Sequence, residues 1–208
     1  MKSLHRLIGL AGTLVAMALL AACAAPITYP VRITYTGQAP IASENVGRVG
    51  LQLLEDGRGR EDAYWVGRRE VGAGGYERYV SSPDDLALSV SDALAELLQR
   101  KGLEVAQIKG WNFTPEDMLA RAGDRDYLIG GTIRRFNCEA EKNLMHTRLV
   151  MEIELELQLG RVGRKSVDRR PVDIRMERVA PTFGPDDFQQ YINEILAQVL
   201  EKGLRDIP

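Results

Sequence analysis

The sequence predicts an α+β sandwich: a mixed β-sheet with two main helices packed on one face. Three observations predict it. Residues 148–159 alternate apolar and polar without a break, the mark of a strand covered on one side only. Segments 86–98 and 188–200 repeat apolar residues at helical spacing. Between Val46 and Ile108 the order is strand, helix, strand, which suggests a right-handed parallel crossover.

The chain has 208 residues, enough for one domain with a real core, and a formal charge of −2. Its first 22 residues are a separate zone. Lys2, His5 and Arg6 precede an uncharged run from Leu7 to Leu20, and small residues follow, the order of a secretory signal. A helix rises about 1.5 Å per residue and needs about 20 apolar residues to cross the hydrocarbon core. This run is shorter and suits export better than permanent anchoring. Removing residues 1–22 takes two of the 27 basic side chains and none of the 29 acidic ones, and leaves a balance of −4. Such a surface excludes nucleic acid as a partner class, because phosphate neutralisation needs a basic face.

Leu20-Ala21-Ala22-Cys23 resembles the bacterial lipobox. The resemblance implies cleavage between Ala22 and Cys23, a diacylglycerol on the Cys23 sulfur, and an acylated new amino terminus. Acyl chains contribute roughly 0.8 kcal/mol per buried methylene and hold a soluble domain to a bilayer without a spanning helix. Alanine at position 24 resembles the outer-membrane sorting pattern, which places the chain on the periplasmic face of the outer membrane. The alternative is an ordinary signal peptide that happens to end in LAAC.

Residues 23–45 carry Pro26, Pro30, Gly37 and Pro40 without helical period and are read as a lipidated tether. An edge strand at Ile33-Thr34-Tyr35 is the alternative. The folded domain is placed at 46–208 and opens with the strand VGRVGLQLLED. Residues 57–82 are glycine-rich and long for a loop. They hold either a hairpin, pairing Tyr64, Trp65 and Val66 with Tyr76 and Tyr79, or a mobile flap.

Ser82, Pro83, Asp84 and Asp85 suggest a helix start, with Ser82 as the capping hydroxyl, and Arg100-Lys101-Gly102 a helix end. LEVAQI at 103–108 is a strand, and Thr114-Pro115 open a short helix ending at Gly123. YLIGGTIRRF at 127–136 reads as a strand whose glycines mark close packing or a bulge. RLVMEIELELQL and PVDIRME, joined by GRVGRK, predict an antiparallel hairpin. Gly184 to Asp187 open the last helix, whose apolar side carries Phe188, Tyr191, Ile192, Ile195, Leu196, Val199 and Leu200.

This element order resembles the YajG-type lipoproteins. The resemblance rests on the lipobox, the Glu55-Asp56-Gly57-Arg58 turn, the helix ending Arg-Lys-Gly-Leu-Glu-Val, the YLIGGTI strand, the RLVMEIELELQL hairpin and the final helix. The chain is also similar to envelope lipoproteins that accompany ABC-type lipid transporters. The resemblance implies a binding or scaffold component of the envelope, or alternatively an accessory subunit of a lipid transport system.

Traces of enzyme chemistry are sparse. His146 is the one imidazole after the signal and is expected in a turn; it has no helix-spaced metal partner. Cys138 sits beside Glu139 and Glu141, which disfavours a thiolate and marks an inert thiol at a strand end. Gly72-Ala73-Gly74-Gly75 lacks the lysine and hydroxyl of a phosphate loop. No catalytic residue, metal or cofactor is expected. Two surfaces remain. Arg58, Arg60, Arg68, Arg69 and Arg78 form either an anion-binding loop for lipid headgroups or a solvated loop balanced by its own acids. Glu152, Glu154 and Glu156 share one strand face and are either paired across strands by Arg169 and Arg175 or present a docking face for a basic partner.

Overall fold

The computed structural model describes residues 26–207, apart from 40, 43, 45, 60, 61, 72–74, 144 and 182. The signal region, Ala22, Cys23 and Arg60 lie outside the described residues. The strands are β1 (Thr28–Val31), β2 (Gly47–Gln52), β3 (Glu55–Asp56), β4 (Trp65–Val71), β5 (Gly75–Ser81), β6 (Leu103–Ile108), β7 (Tyr127–Lys142), β8 (Thr147–Arg161) and β9 (Ser166–Ala180). The helices are α1 (Leu86–Arg100), α2 (Pro115–Ala122) and α3 (Pro185–Gly203). The fold is α+β.

Strand β7 organises the sheet. One edge pairs antiparallel with β8 along its whole length, and β8 pairs in the same way with β9. The other edge takes three short strands in tandem, all parallel: β2 at Tyr127 to Ile129, β3 at Thr132 and Ile133, and β4 at Cys138 to Ala140. Beyond β2 lies β6, parallel, as the strand-helix-strand order predicts. Beyond β4 lies β5, antiparallel, and then β1.

Residues 65–81 therefore form a hairpin rather than a flap. Trp65 stands opposite Val80, Gly67 opposite Tyr79 and Glu70 opposite Tyr76. A chain this rich in glycine hides its strand period, so the pairing is set by the free edge of β7 and not by local pattern. The bulge in β7 falls between Ile133 and Arg135. Gly130 and Gly131 serve close approach instead: a Cβ at Gly130 would sit 2.9 Å from the Phe113 ring, and one at Gly131 would lie 3.0 Å from Leu157 Cα.

The tether reading of 23–45 does not hold for residues 28–35. β1 adds to the sheet edge, and Ile33 and Tyr35 are buried. The strand lies at 28–31, not at 33–35. Segment 32–35 runs instead along α3, where the Gln189 side-chain Oε1 accepts from the Arg32 N–H at 2.9 Å. Asn193 is 3 % exposed; its amide donates to the Arg32 carbonyl at 2.9 Å and its oxygen accepts from the Thr34 N–H at 3.2 Å. Buried backbone groups need partners, and these two side chains supply them in place of a strand ladder. The Tyr35 hydroxyl donates to Glu201, and burial first, then this bond, pushes its pKa up to about 12.

Helix α1 starts later than its sequence suggests. Asp85 is the cap, accepting from the Leu88 N–H at 2.9 Å, whereas the Ser82 N–H donates to the Val31 carbonyl at 3.0 Å. Ser82 directly follows β5 and still bonds β1, so its backbone lies short of the helix start, which Asp85 caps instead. α2 is capped by Thr114, and in α3 the Asp187 carboxylate accepts from the Gly184 N–H.

The inward faces of β8, α1 and α3 meet in one core that includes Leu149, Met151, Ile153, Leu94, Leu97, Ile192 and Ile195. A second, small cluster of Trp111, Met118 and Leu128 lies under α2. Leu128 and Ile129 belong to different clusters, because successive strand residues point to opposite faces. The two main helices thus share one face, while α2 covers a corner of the other.

An aromatic ladder joins β1 to α3 through β5. Tyr29 stacks on Tyr79 at 5.5 Å, and Tyr79 on Phe188 of α3 at 3.7 Å. Gly67 lies beneath: a Cβ there would run into the Cys138 carbonyl oxygen and come 2.9 Å from the Phe188 ring. Gly67→Ala is expected to lower the unfolding free energy by about 1–3 kcal/mol, the usual result of overpacking. Urea denaturation monitored by circular dichroism checks it, and an unchanged midpoint would show that the ladder has slack.

Candidate functional site

Two groups of predicted surface residues can be placed on this frame. Arg58 is not available to a ligand: its side chain is 2 % exposed. It forks onto Asp56, with Nε to Oδ1 at 2.8 Å and Nη2 to Oδ2 at 2.7 Å. The same guanidinium donates to the carbonyls of Trp65, Ala63 (3.2 Å) and Phe136 (3.4 Å). Phe136 lies on β7 between the stretches that pair with β3 and β4. Arg58 therefore supplies donors where the tandem strands leave the β7 edge without a ladder, a role that needs five N–H groups in a planar fork.

The rest of the arginine loop is dispersed. Arg68 pairs with Glu139 at 2.6 Å, Arg69 with Glu77 at 3.1 Å, and Arg78 with Asp62 while lying over the Trp65 ring. Arg69 also donates to the Phe183 carbonyl at 3.0 Å. The described guanidinium groups are neutralised by acids of their own domain, and an anion would have to displace those carboxylates.

The glutamate row projects from β8 away from the main core, as its alternation predicts. Glu152 bonds Arg175 of β9 and lies 3.7 Å from Arg135 of β7. Glu156 accepts from Arg169 at 2.6 Å and from Arg134 at 3.2 Å, and these bonds, Arg169 first, hold its carboxyl below the ordinary glutamate value. Cross-strand pairing through Arg169 and Arg175 is what the structure contains. Glu154 differs: it stands directly opposite Asp173 and is in register with Arg135.

Cys138 is in mid-strand, not at a strand end, because β7 continues to Lys142. It is fully buried, and burial, then Glu139, pushes its thiol far above the ordinary cysteine value. A thiol held in this state is a poor nucleophile. His146 is in the β7–β8 turn, where its carbonyl accepts from the Asn143 N–H at 2.8 Å.

Sequence reasoning missed a polar cleft of about 310 Å³ at the opposite end of β7, lined by Asp126, Tyr127, Arg161, Gly163, Arg164 and Asp206. Asp206 bonds both Arg161 and Arg170, and Arg170 first, then its other contacts, holds the carboxyl well below the usual range. Asn193 and Gln189 were also missed. Asn193 breaks the apolar side of α3 between Ile192 and Ile195, a legible signal for a polar side chain with a buried partner.

No family model matches the chain, and no curated protein matches it. Solved structures do. An uncharacterized protein aligns with TM-score 0.52 and 12% identity, covering 89% of this chain and 100% of that one. A Xanthomonas campestris protein of the DUF330 family model aligns at TM-score 0.48 and 14% identity, over 88% and 94% of the two chains. Lipoprotein GNA1162 from Neisseria meningitidis aligns at TM-score 0.36 and 8% identity, over 73% and 96%. At these identities the likeness to the first is one of fold.

Arg58→Met removes the buried fork and leaves Asp56 and three carbonyls to find other partners. A loss of about 3–5 kcal/mol in unfolding free energy is expected, the usual cost of breaking a buried pair from one side. Thermal denaturation measures it; a loss within that of a surface substitution would return Arg58 to the solvent-facing loop.

Proposed function

We propose that this chain is an outer-membrane-anchored lipoprotein, a non-enzymatic binding or scaffold component of the bacterial envelope resembling the YajG type. One observation carries the reading: Leu20-Ala21-Ala22-Cys23 follows a basic start and a short apolar run. The thiol of Cys23 is the strong nucleophile of that stretch, and alanines at 21 and 22 let a protease grip the backbone. Two or three acyl chains then suffice for stable attachment. The fold supports the same reading in one respect. The first described residues lead directly into β1, so an anchor at Cys23 draws on a domain held firmly through the sheet and α3.

Cys23→Ser is expected to abolish incorporation of labelled fatty acid and to leave a precursor heavier by the uncleaved signal. Metabolic labelling with mass spectrometry of the amino-terminal peptide checks this, and normal labelling of the variant would end the proposal.

The second reading is an accessory subunit of an ABC-type lipid transport system. The element order shared with transporter-accessory lipoproteins favours it. On this reading the lipidated protein, crosslinked in cells, co-purifies with a permease and an ATPase; consistent recovery without either removes it.

A further inference from the structure

Strand registers bring several distant segments to one end of the sheet. β4 runs parallel to β7, with Arg69 beside Ala140, so the end of β4 and the end of β7 point the same way. Lys142 stands opposite Thr147, and Thr147 opposite Ala180. β1 enters the sheet at this end too, with Thr28 beside Arg78 and the Ile27 carbonyl accepting from the Arg78 N–H at 2.8 Å. The amino-terminal chain, the start of β5, the β7–β8 turn and the end of β9 therefore share one rim.

That rim exposes large apolar side chains. Ile27 is 59% exposed, Tyr76 42%, Met145 86% and Val179 57%. They come from four separate segments, and other exposed apolar residues, such as Ile41 and Leu119, lie away from this end. The rim is not strongly charged: Glu141 and Glu177 are both paired with Arg148, at 3.5 Å and 2.7 Å. Lys142 is exposed, with a stem long enough to lie on apolar surface while its charge reaches headgroups.

We infer that this rim rests on the bilayer, with Ile27, Tyr76, Met145 and Val179 seated in the headgroup boundary. The inference rests on the lipoprotein reading and deepens it. Only three peptide units separate Cys23 from Pro26, a reach of about 11 Å at most. Whatever their path, acyl chains on Cys23 keep Pro26 near the membrane surface, and Ile27 and Thr28 are already held by the sheet edge. The domain has no slack to stand off, so the end that carries β1's start faces the lipid. Exposed apolar side chains spread along the rim, from Ile27 before β1 to Val179 of β9, are what such a surface needs, because apolar burial and not charge would hold it there. The polar cleft and the Arg161–Asp206–Arg170 network lie at the far end, toward the periplasm.

The test uses the full, lipidated chain in vesicles of phosphatidylethanolamine and phosphatidylglycerol. An environment-sensitive fluorophore is placed at Met145→Cys, Val179→Cys or Arg164→Cys; buried Cys138 does not compete for label. With nitroxide-bearing lipid, fluorescence at 145 and 179 is expected to fall about twofold or more while that at 164 is unchanged, in high salt as in low. Mass spectrometry of the amino-terminal peptide separates the two levels of the claim. A diacylated Cys23 with no quenching at 145 and 179, or with quenching at 164, overturns this orientation alone. An unmodified Cys23 overturns the lipoprotein reading and the orientation with it. Concentration-dependent shielding of 145 and 179 in detergent without lipid overturns it in favour of a second copy on the rim.

Discussion

The whole architecture depends on the unequal edges of β7. On one side a single long partner, β8, runs the full length with one bulge; on the other, three short strands must share the edge end to end. Tandem strands leave a gap in the ladder, and an unpaired carbonyl in a buried place costs on the order of 1–3 kcal/mol. Arg58 is the answer to that gap. Its guanidinium reaches the carbonyls that the strands leave and is itself neutralised by Asp56 in the adjoining strand. A charged residue in a glycine-rich turn thus does the work of a missing strand segment.

The same logic of internal satisfaction governs the rest of the charge. The outer face of β8 is rich in carboxylates, yet Glu152 and Glu156 each sit between arginines from both neighbouring strands. Exposed pairs of this kind contribute little stability one by one. Their effect is on register: a slip of one residue would turn Leu155 outward and bury Glu156. Charge patterning and apolar patterning therefore specify the same pairing.

Residues 29–35 meet α3 on the core side. Tyr29 and Tyr79 stack toward Phe188, Asn193 holds the backbone at 32–34, and Tyr35 reaches Glu201. Residues 28–35 are thus held against β5 and α3 rather than trailing from the domain. On the proposed reading, with an anchor at Cys23, this clamp would set how the domain is presented, because rigidity at an attachment point converts an anchor into an orientation.

Sequence alone determined what is local. Period-two alternation in β8 and β9, the apolar stripes of α1 and α3, the Thr114-Pro115 start of α2 and the lipobox-like stretch at Cys23 each follow from residues within a dozen positions of one another. The pattern of Glu152 and Glu156 against Arg169 and Arg175 was legible as well, because hairpin partners are near in sequence. Tertiary structure decided what depends on distant pairing. β1 reads as a proline-bearing tether until an edge is available to receive it, and Arg58 reads as a surface cation until the β3–β4 gap closes around it. Ser82 looks like a cap until its backbone is seen bonded to the end of β1. The convergence of Ile27, Tyr76, Met145 and Val179 on one rim has no local signature, since strand registers spanning more than a hundred residues bring them together.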